Sequence, residues 1–200
     1  IFGCGCFWGA EKCFWKLPGV VTTSVGYAGG EKNNPTYYEV CSGLTGHSEV
    51  VRVIWDKREI DVSDLLKMFW ECHDPTQKNR QGNDMGTQYR SAIYYKNENN
   101  IKTILASKEQ YQTELSKKNL GLIETEIKMI DSYFYAEQYH QQYLASAGSR
   151  QYCSASPTKV KLGVFTGSNY KLEDHIWENF NWEVDKCVLR SDNNPIKNNI

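Results

Sequence analysis

The 200-residue chain has no charge excess: 23 Lys and Arg stand against 24 Asp and Glu. Such a balance offers no basic surface for nucleic acid or an anionic membrane. No apolar run approaches the roughly 20 residues that a membrane-spanning helix needs. Neither a secretory leader nor an internal repeat stands out, so the expected compartment is the cytoplasm, or the mitochondrion if a leader precedes Ile1. An even set of cysteines is lacking too. Seven cysteines in a chain of this length do not suit a secreted disulfide scaffold. They suit a reducing compartment, where each thiol is a small buried hydrophobe or a reagent. No metal is expected, because Cys4-x-Cys6 and Cys72-His73 lack the separation of roughly two to four residues found in structural zinc pairs.

What is present reads as strands alternating with helices. Residues 20–27 are β-branched and aromatic and end near Gly29-Gly30, a strand and a turn. Residues 49–56 form a strand that is apolar on both faces and therefore central. Over 62–72 the period changes. Leu65, Met68, Phe69 and Cys72 share one helical stripe, Asp64, Lys67 and Glu71 face away, and Pro75 stops the helix. Strands at 90–95 and 125–130 flank a helix marked by Ile101, Ile104, Leu105, Tyr111 and Leu115. A last helix is predicted at 136–145. One strand pair has no helix between its members. The predicted fold is α+β, a two-layer α/β sandwich with a mixed sheet on a ferredoxin-like (split βαβ) core. Residues 1–153 are read as the catalytic domain of a monomer. Residues 154–200 are read as a long, partly irregular extension, docked through Phe165, Trp177, Phe180 and Trp182, with a disordered polar end at 191–200.

The chemistry-bearing signal is Gly5-Cys6-Phe7-Trp8-Gly9. Cys6 follows a strand-like opening and precedes a helical stretch at 10–15, so unpaired amides and the positive helix end favour its thiolate. Phe7 and Trp8 set apolar surface beside the sulfur. Taken alone, the motif is equally a buried core cysteine among aromatics. Three polar stretches add to it: Asn34-Pro35-Thr36-Tyr37, Thr45-Gly46-His47-Ser48-Glu49 and residues 81–90. Each brings a Tyr, Glu or Asp beside glycines at a strand end or loop. A carboxylic acid and phenols around a cysteine make a cup for an oxygen whose negative charge grows during reaction.

These blocks, with His73-Asp74-Pro75-Thr76-Gln77 and residues 136–143, run in one order from about residue 3 to Cys153. In that order they resemble the A-type peptide methionine sulfoxide reductases, whose reaction reverses one sulfoxide epimer. The resemblance implies reduction of methionine-S-sulfoxide, free or in oxidised proteins, as a repair activity. Cys6 is then the nucleophile that becomes a sulfenic acid, and Phe7 and Trp8 hold the substrate's methyl group. Glu49 is the acid that protonates the sulfoxide oxygen, which requires a raised pKa. Tyr37 and Tyr89 donate to that oxygen, Asp84 orders the polar side, and Tyr143 lines the same cavity. Cys153 is the recycling thiol that closes a disulfide, and thioredoxin is the external reductant, with no bound cofactor. Independently, a sulfenic acid condenses readily with a nearby thiol, and Ala147-Gly148-Ser149 gives the chain freedom to deliver one.

Departures from the pattern are few. Cys4 and Cys72 stand where relatives commonly have glycine and asparagine, and Met85 where many have histidine. A second recycling cysteine often follows a few residues after the first; here the next one is Cys187. Either Cys153 recycles alone or the tail brings Cys187 back, since the entropy of closing a loop of roughly thirty residues grows only slowly with length. Cys13, Cys41 and Cys72 are assigned to packing and His47 to structural hydrogen bonding. Two rival functions stand beside the reductase. One is another cysteine enzyme, a thiol peroxidase or a Cys-His hydrolase. The other is a non-catalytic module that holds exposed methionines on Phe7 and Trp8.

Overall fold

The computed structural model describes residues 1–184 and 187–196, with Cys187 described in its backbone alone. Six strands form one mixed sheet: β1 (Phe2–Cys4), β2 (Val20–Ala28), β3 (Ser48–Trp55), β6 (Ser91–Tyr95), β7 (Glu126–Met129) and β8 (Tyr133–Tyr135). Their order is β7-β6-β1-β3-β2-β8. β1 runs antiparallel to β3 and β6, β2 antiparallel to β3 and β8, and β6 parallel to β7. Strand β3 is central, and Val50, Val51 and Val53 on its two faces are buried. A short ribbon, β4 (Arg80–Gln81) with β5 (Asp84–Met85), stands apart.

Helix α1 (Phe7–Trp15) packs on β2 and β3 and touches α3 (Val62–Cys72), which packs on β1 and on α4 (Ile101–Lys117). α3 starts where Asp61 caps it, accepting from the Ser63 amide, while the Asp64 carboxylate returns to the Asp61 amide. Its apolar stripe meets β1 and α1. Phe2 stacks on Phe14 at 4.8 Å and lies 5.6 Å from Phe69. Burying each such ring contributes about 1.5–3 kcal/mol, so this layer fixes α1 against β1 and thereby fixes the turn at Cys6.

Three expectations change. Residues 136–145 are not a helix. They form two 3₁₀ turns, Gln138–His140 and Tyr143–Ala145, separated at Gln142, which has φ of 45°. The side chain of Gln141 bonds the Val25 amide and carbonyl at 2.9 and 3.0 Å. Docking to β2 in this way wins over helical propensity. Second, Asp64 and Glu71 do not face solvent: both are at most 1% exposed. They accept backbone amides of the tail, Lys171 and Leu172 on Asp64 and Leu162 on Glu71. Third, residues 191–196, expected to be disordered, return to the domain. Lys12 Nζ donates to Ser191 O and Asn193 Oδ1, and Lys16 pairs with Asp192 at 2.6 Å. Residues 197–200 lie outside the described residues. Phe165, Trp177, Phe180 and Trp182 are buried in the main core. The short helices α2 (Tyr37–Cys41) and α5 (Asp174–Trp177) complete the α-helices of the described residues. Among those residues, no helix is long and apolar enough to cross a membrane.

Candidate active site

The chain turns sharply between β1 and α1. Gly5 has φ of 87°, and a Cβ there would lie 2.5 Å from Gln81 Cβ, so only glycine fits. Cys6 follows as the residue that caps α1. It is buried, 9% exposed, on the floor of a cavity of about 250 Å³ lined by Cys6, Phe7, Trp8, Tyr37, Glu49, Asp84, Tyr89, Arg150 and Tyr152. Seven of these nine are residues singled out in the sequence.

Glu49 is 2% exposed and enters from β3. Its Oε2 accepts the Phe7 amide at 3.1 Å, so the first free amide of α1 serves this carboxyl. Burial raises its pKa from 4.5 to about 8, with the Phe7 hydrogen bond opposing and Asp84 adding to the rise. Glu49 is therefore a neutral acid at pH 7. The expected thiolate at Cys6 is not supported. Burial first, then Glu49, push its thiol upward, and the Trp8 amide only partly offsets them. Helix-end stabilisation is present but loses to desolvation.

Tyr37 opens α2, which is held by a capping box in which the Thr36 side chain and Glu39 exchange hydrogen bonds. Its amide donates to Glu137 Oε1 at 2.8 Å, and its ring packs on His140 at 4.5 Å. Tyr89 sits in the turn Thr87–Tyr89. Burial lifts both phenols above their ordinary range, so they serve as donors and not as phenolates. Asp84 accepts the Tyr152 hydroxyl at 2.6 Å on Oδ1.

Tyr143 does not line the cavity. It stacks behind Trp8 at 4.0 Å, while Trp8 Nε1 donates to His140 Nδ1 at 3.1 Å. Cys153 lies beside the cavity, buried against Gly9, where a Cβ would come within 2.4 Å of its Sγ. The side chain of Cys187 lies outside the described residues. Cys41 is exposed and lies beside Tyr37, not a packing residue. His47 bridges Lys32 O and the Gly30 amide, a structural role. Sequence reading missed Arg150, Tyr152, His140 and Glu137. The Thr36-x-x-Glu39 spacing could have revealed α2, Tyr152 adjoins Cys153, and Glu137 and His140 fall within the block at 136–143; nothing local marks Arg150. No histidine is among the residues lining the cavity, which removes the general base of a Cys-His hydrolase.

A model of the family described as peptide methionine sulfoxide reductase matches residues 1–170. This chain belongs to that family. It is 57% identical over 162 residues to peptide methionine sulfoxide reductase MsrA of Azotobacter vinelandii, covering 81% of this chain and 74% of that one. The Vibrio vulnificus MsrA is 57% identical over 160 residues, covering 80% and 76%. Among solved structures, methionine sulfoxide reductase A of Corynebacterium diphtheriae superimposes with a TM-score of 0.69 at 44% identity, covering 82% of this chain and 80% of that one. Reduced Mxr1 of Saccharomyces cerevisiae gives 0.70 at 35% identity, covering 76% and 86%. The reductase is thus an oxidoreductase of the A type, with a mixed sheet flanked by helices.

Proposed function

We propose that the reductase converts methionine-S-sulfoxide to methionine by attack of Cys6 on the sulfoxide sulfur. The observation that carries this is the buried Glu49 carboxyl, held by the same helix end as Cys6 and open to the same cavity. The substrate's methyl group lies against Trp8 and Phe7, and its oxygen faces Tyr37, Tyr89 and Glu49. Glu49 gives its proton to that oxygen as the Cys6 sulfur bonds to the sulfoxide sulfur, and the thiol proton restores the carboxyl. Transfer of the hydroxyl to Cys6 leaves a sulfenic acid and releases the thioether. Asp84, through Tyr152, orders the polar rim, and Tyr143 supports Trp8 from behind.

Cys153 then attacks the sulfenic sulfur, releasing water and closing a Cys6–Cys153 disulfide. A thioredoxin-class dithiol reduces this bond by exchange. The proximity of Cys153 to Gly9, one turn into α1, supports this pairing. The active unit is a cytoplasmic monomer, with oxidised proteins or free sulfoxide as substrate. Residues 1–153 supply the chemistry and 154–200 form the extension. The order β6-β1-β3-β2, with β1 and β2 both antiparallel to the intervening β3, supports reading the centre as a split βαβ core.

Cys6→Ser tests the whole reading. Turnover of the S epimer is expected to vanish with thioredoxin present, while a mere methionine-binding module keeps its affinity. Wild-type protein that reduces hydrogen peroxide faster than the sulfoxide defeats the proposal. Mass spectrometry after one equivalent of sulfoxide without reductant decides the recycling route. A Cys6–Cys153 bond that never passes to Cys187 excludes the relay.

A further inference from the structure

Behind the active site, β1, α1 and α3 bring a second set of thiols together. Cys4 is 3% exposed, Cys72 1% and His73 fully buried, and their ligand atoms all lie within 4.8 Å of one another. Cys13, 2% exposed, lies beside Cys72, which also lies beside Cys4. The residues come from three elements, and pair spacing along the chain therefore hid them. Cys6, two residues from Cys4 in sequence, is not among them.

We propose that Cys4, Cys72 and His73, with Cys13 as fourth donor, form a buried site for one thiophilic divalent cation of the zinc class. The donor set is the Cys₃His type that four-coordinate structural zinc takes. Zinc–sulfur and zinc–nitrogen bonds of about 2.3 and 2.0 Å imply ligand–ligand edges of roughly 3.5–3.8 Å. Among Cys4, Cys72 and His73 the longest present separation has to close by only about 1 Å; Cys13 lies outside that group and has to move further.

His73 is prepared for this role. A carbonyl can only accept, so Nδ1 carries the proton that bonds Phe69 O at 2.7 Å. Nε2 is left with the lone pair, the outer hydrogen-bonding pattern of a metal-bound imidazole. The Ser91 hydroxyl now meets Nε2 at 2.8 Å, but Ser91 has a second partner, Thr125 Oγ1 at 2.8 Å. The cation takes the place of that hydroxyl. Cys4, Cys13 and Cys72 bind as thiolates, the imidazole binds as a neutral donor, and three protons leave. With all four residues buried, loading accompanies folding and does not follow it.

The test is independent of the catalytic reading. It uses the full chain carrying Cys6→Ser and Cys153→Ser, which removes the reactive thiols as competing ligands. The protein is unfolded with a chelator and refolded with one equivalent of Co²⁺, then of Zn²⁺. The expected result is one ion per chain, an intense sulfur-to-cobalt charge-transfer band, and about three protons released per ion. Cys4→Ala and Cys72→Ala should each cut bound cobalt at least about tenfold, while Cys41→Ala leaves it unchanged. Small apolar replacements are chosen so that the core still folds. If a variant fails to fold, the unsubstituted cluster decides alone. No cobalt uptake on refolding overturns the proposal, and so does uptake that survives both Cys4→Ala and Cys72→Ala.

Discussion

Glu49 and Asp64 are both buried carboxyls near a helix start, and they are treated oppositely. Asp64, fully buried, accepts three amides, from Asp61 at 3.0 Å, Lys171 at 3.0 Å and Leu172 at 3.2 Å. Glu49 accepts a single amide, from Phe7 at 3.1 Å, and its remaining surroundings are the cavity and Asp84. A buried carboxyl whose oxygens meet several amides acts as an anchor. One that is denied them keeps a proton and can give it away. The number of donors around each group thus separates structure from chemistry.

The largest expected break in this contrast is Glu49→Gln. Single-turnover reduction of the sulfoxide should slow by about 10²–10⁴, the usual contribution of a positioned acid. Alkylation of Cys6 by iodoacetamide should stay largely intact. Equal loss of both rates would mean that Glu49 merely organises the site.

Asp64→Asn should do the reverse. It turns one acceptor into a donor facing tail amides, at a cost of about 1–3 kcal/mol. Urea unfolding should show the loss, and limited proteolysis should cut earlier at 160–175, while the single-turnover rate holds. A slowed first turnover would tie the tail to the chemistry.

A smaller effect follows from the raised pKa of Glu49. The folded protein keeps a proton there that the unfolded chain releases near pH 4.5. Stability from this group is complete below that pH and is lost as pH rises through about 8. Thermal melts of wild type and Glu49→Gln should therefore diverge in the variant's favour from pH 5 to 8. Parallel curves would place the Glu49 pKa near its ordinary value. Glu11, raised to about 7, is common to both proteins and cancels.

The sheet and its long helices were legible because period and burial coincide. The stripe of α3 matches its bounds at Val62–Cys72. The cavity was legible through motifs, since seven of its nine lining residues sit in short blocks with their own composition. Other features were not local. Asp64 and Glu71 looked solvent-facing because the strand-free tail that covers them lies about 90–110 residues away in sequence. The helix predicted at 136–145 failed because Gln141 takes its partners from β2. The state of Cys6 was misjudged for a similar reason. Its helix end is visible in the sequence, whereas its burial beside Glu49 is not.

The finest test of the contrast concerns Gly9, which carries neither a carboxyl nor a thiol. Its missing Cβ leaves the space in which Cys153 Sγ lies, and a methyl group there would stand 2.4 Å from that sulfur. Alanine suits the helix better than glycine by about 0.5–1 kcal/mol, so Gly9→Ala should not unravel α1. It should push Cys153 aside. The first methionine released per chain should then appear at the wild-type rate, because that step needs only Cys6 and its acid. Closure of the Cys6–Cys153 disulfide, followed by loss of free thiol, should slow several-fold. A slowed first release with normal closure would place Gly9 with substrate access and remove it from recycling.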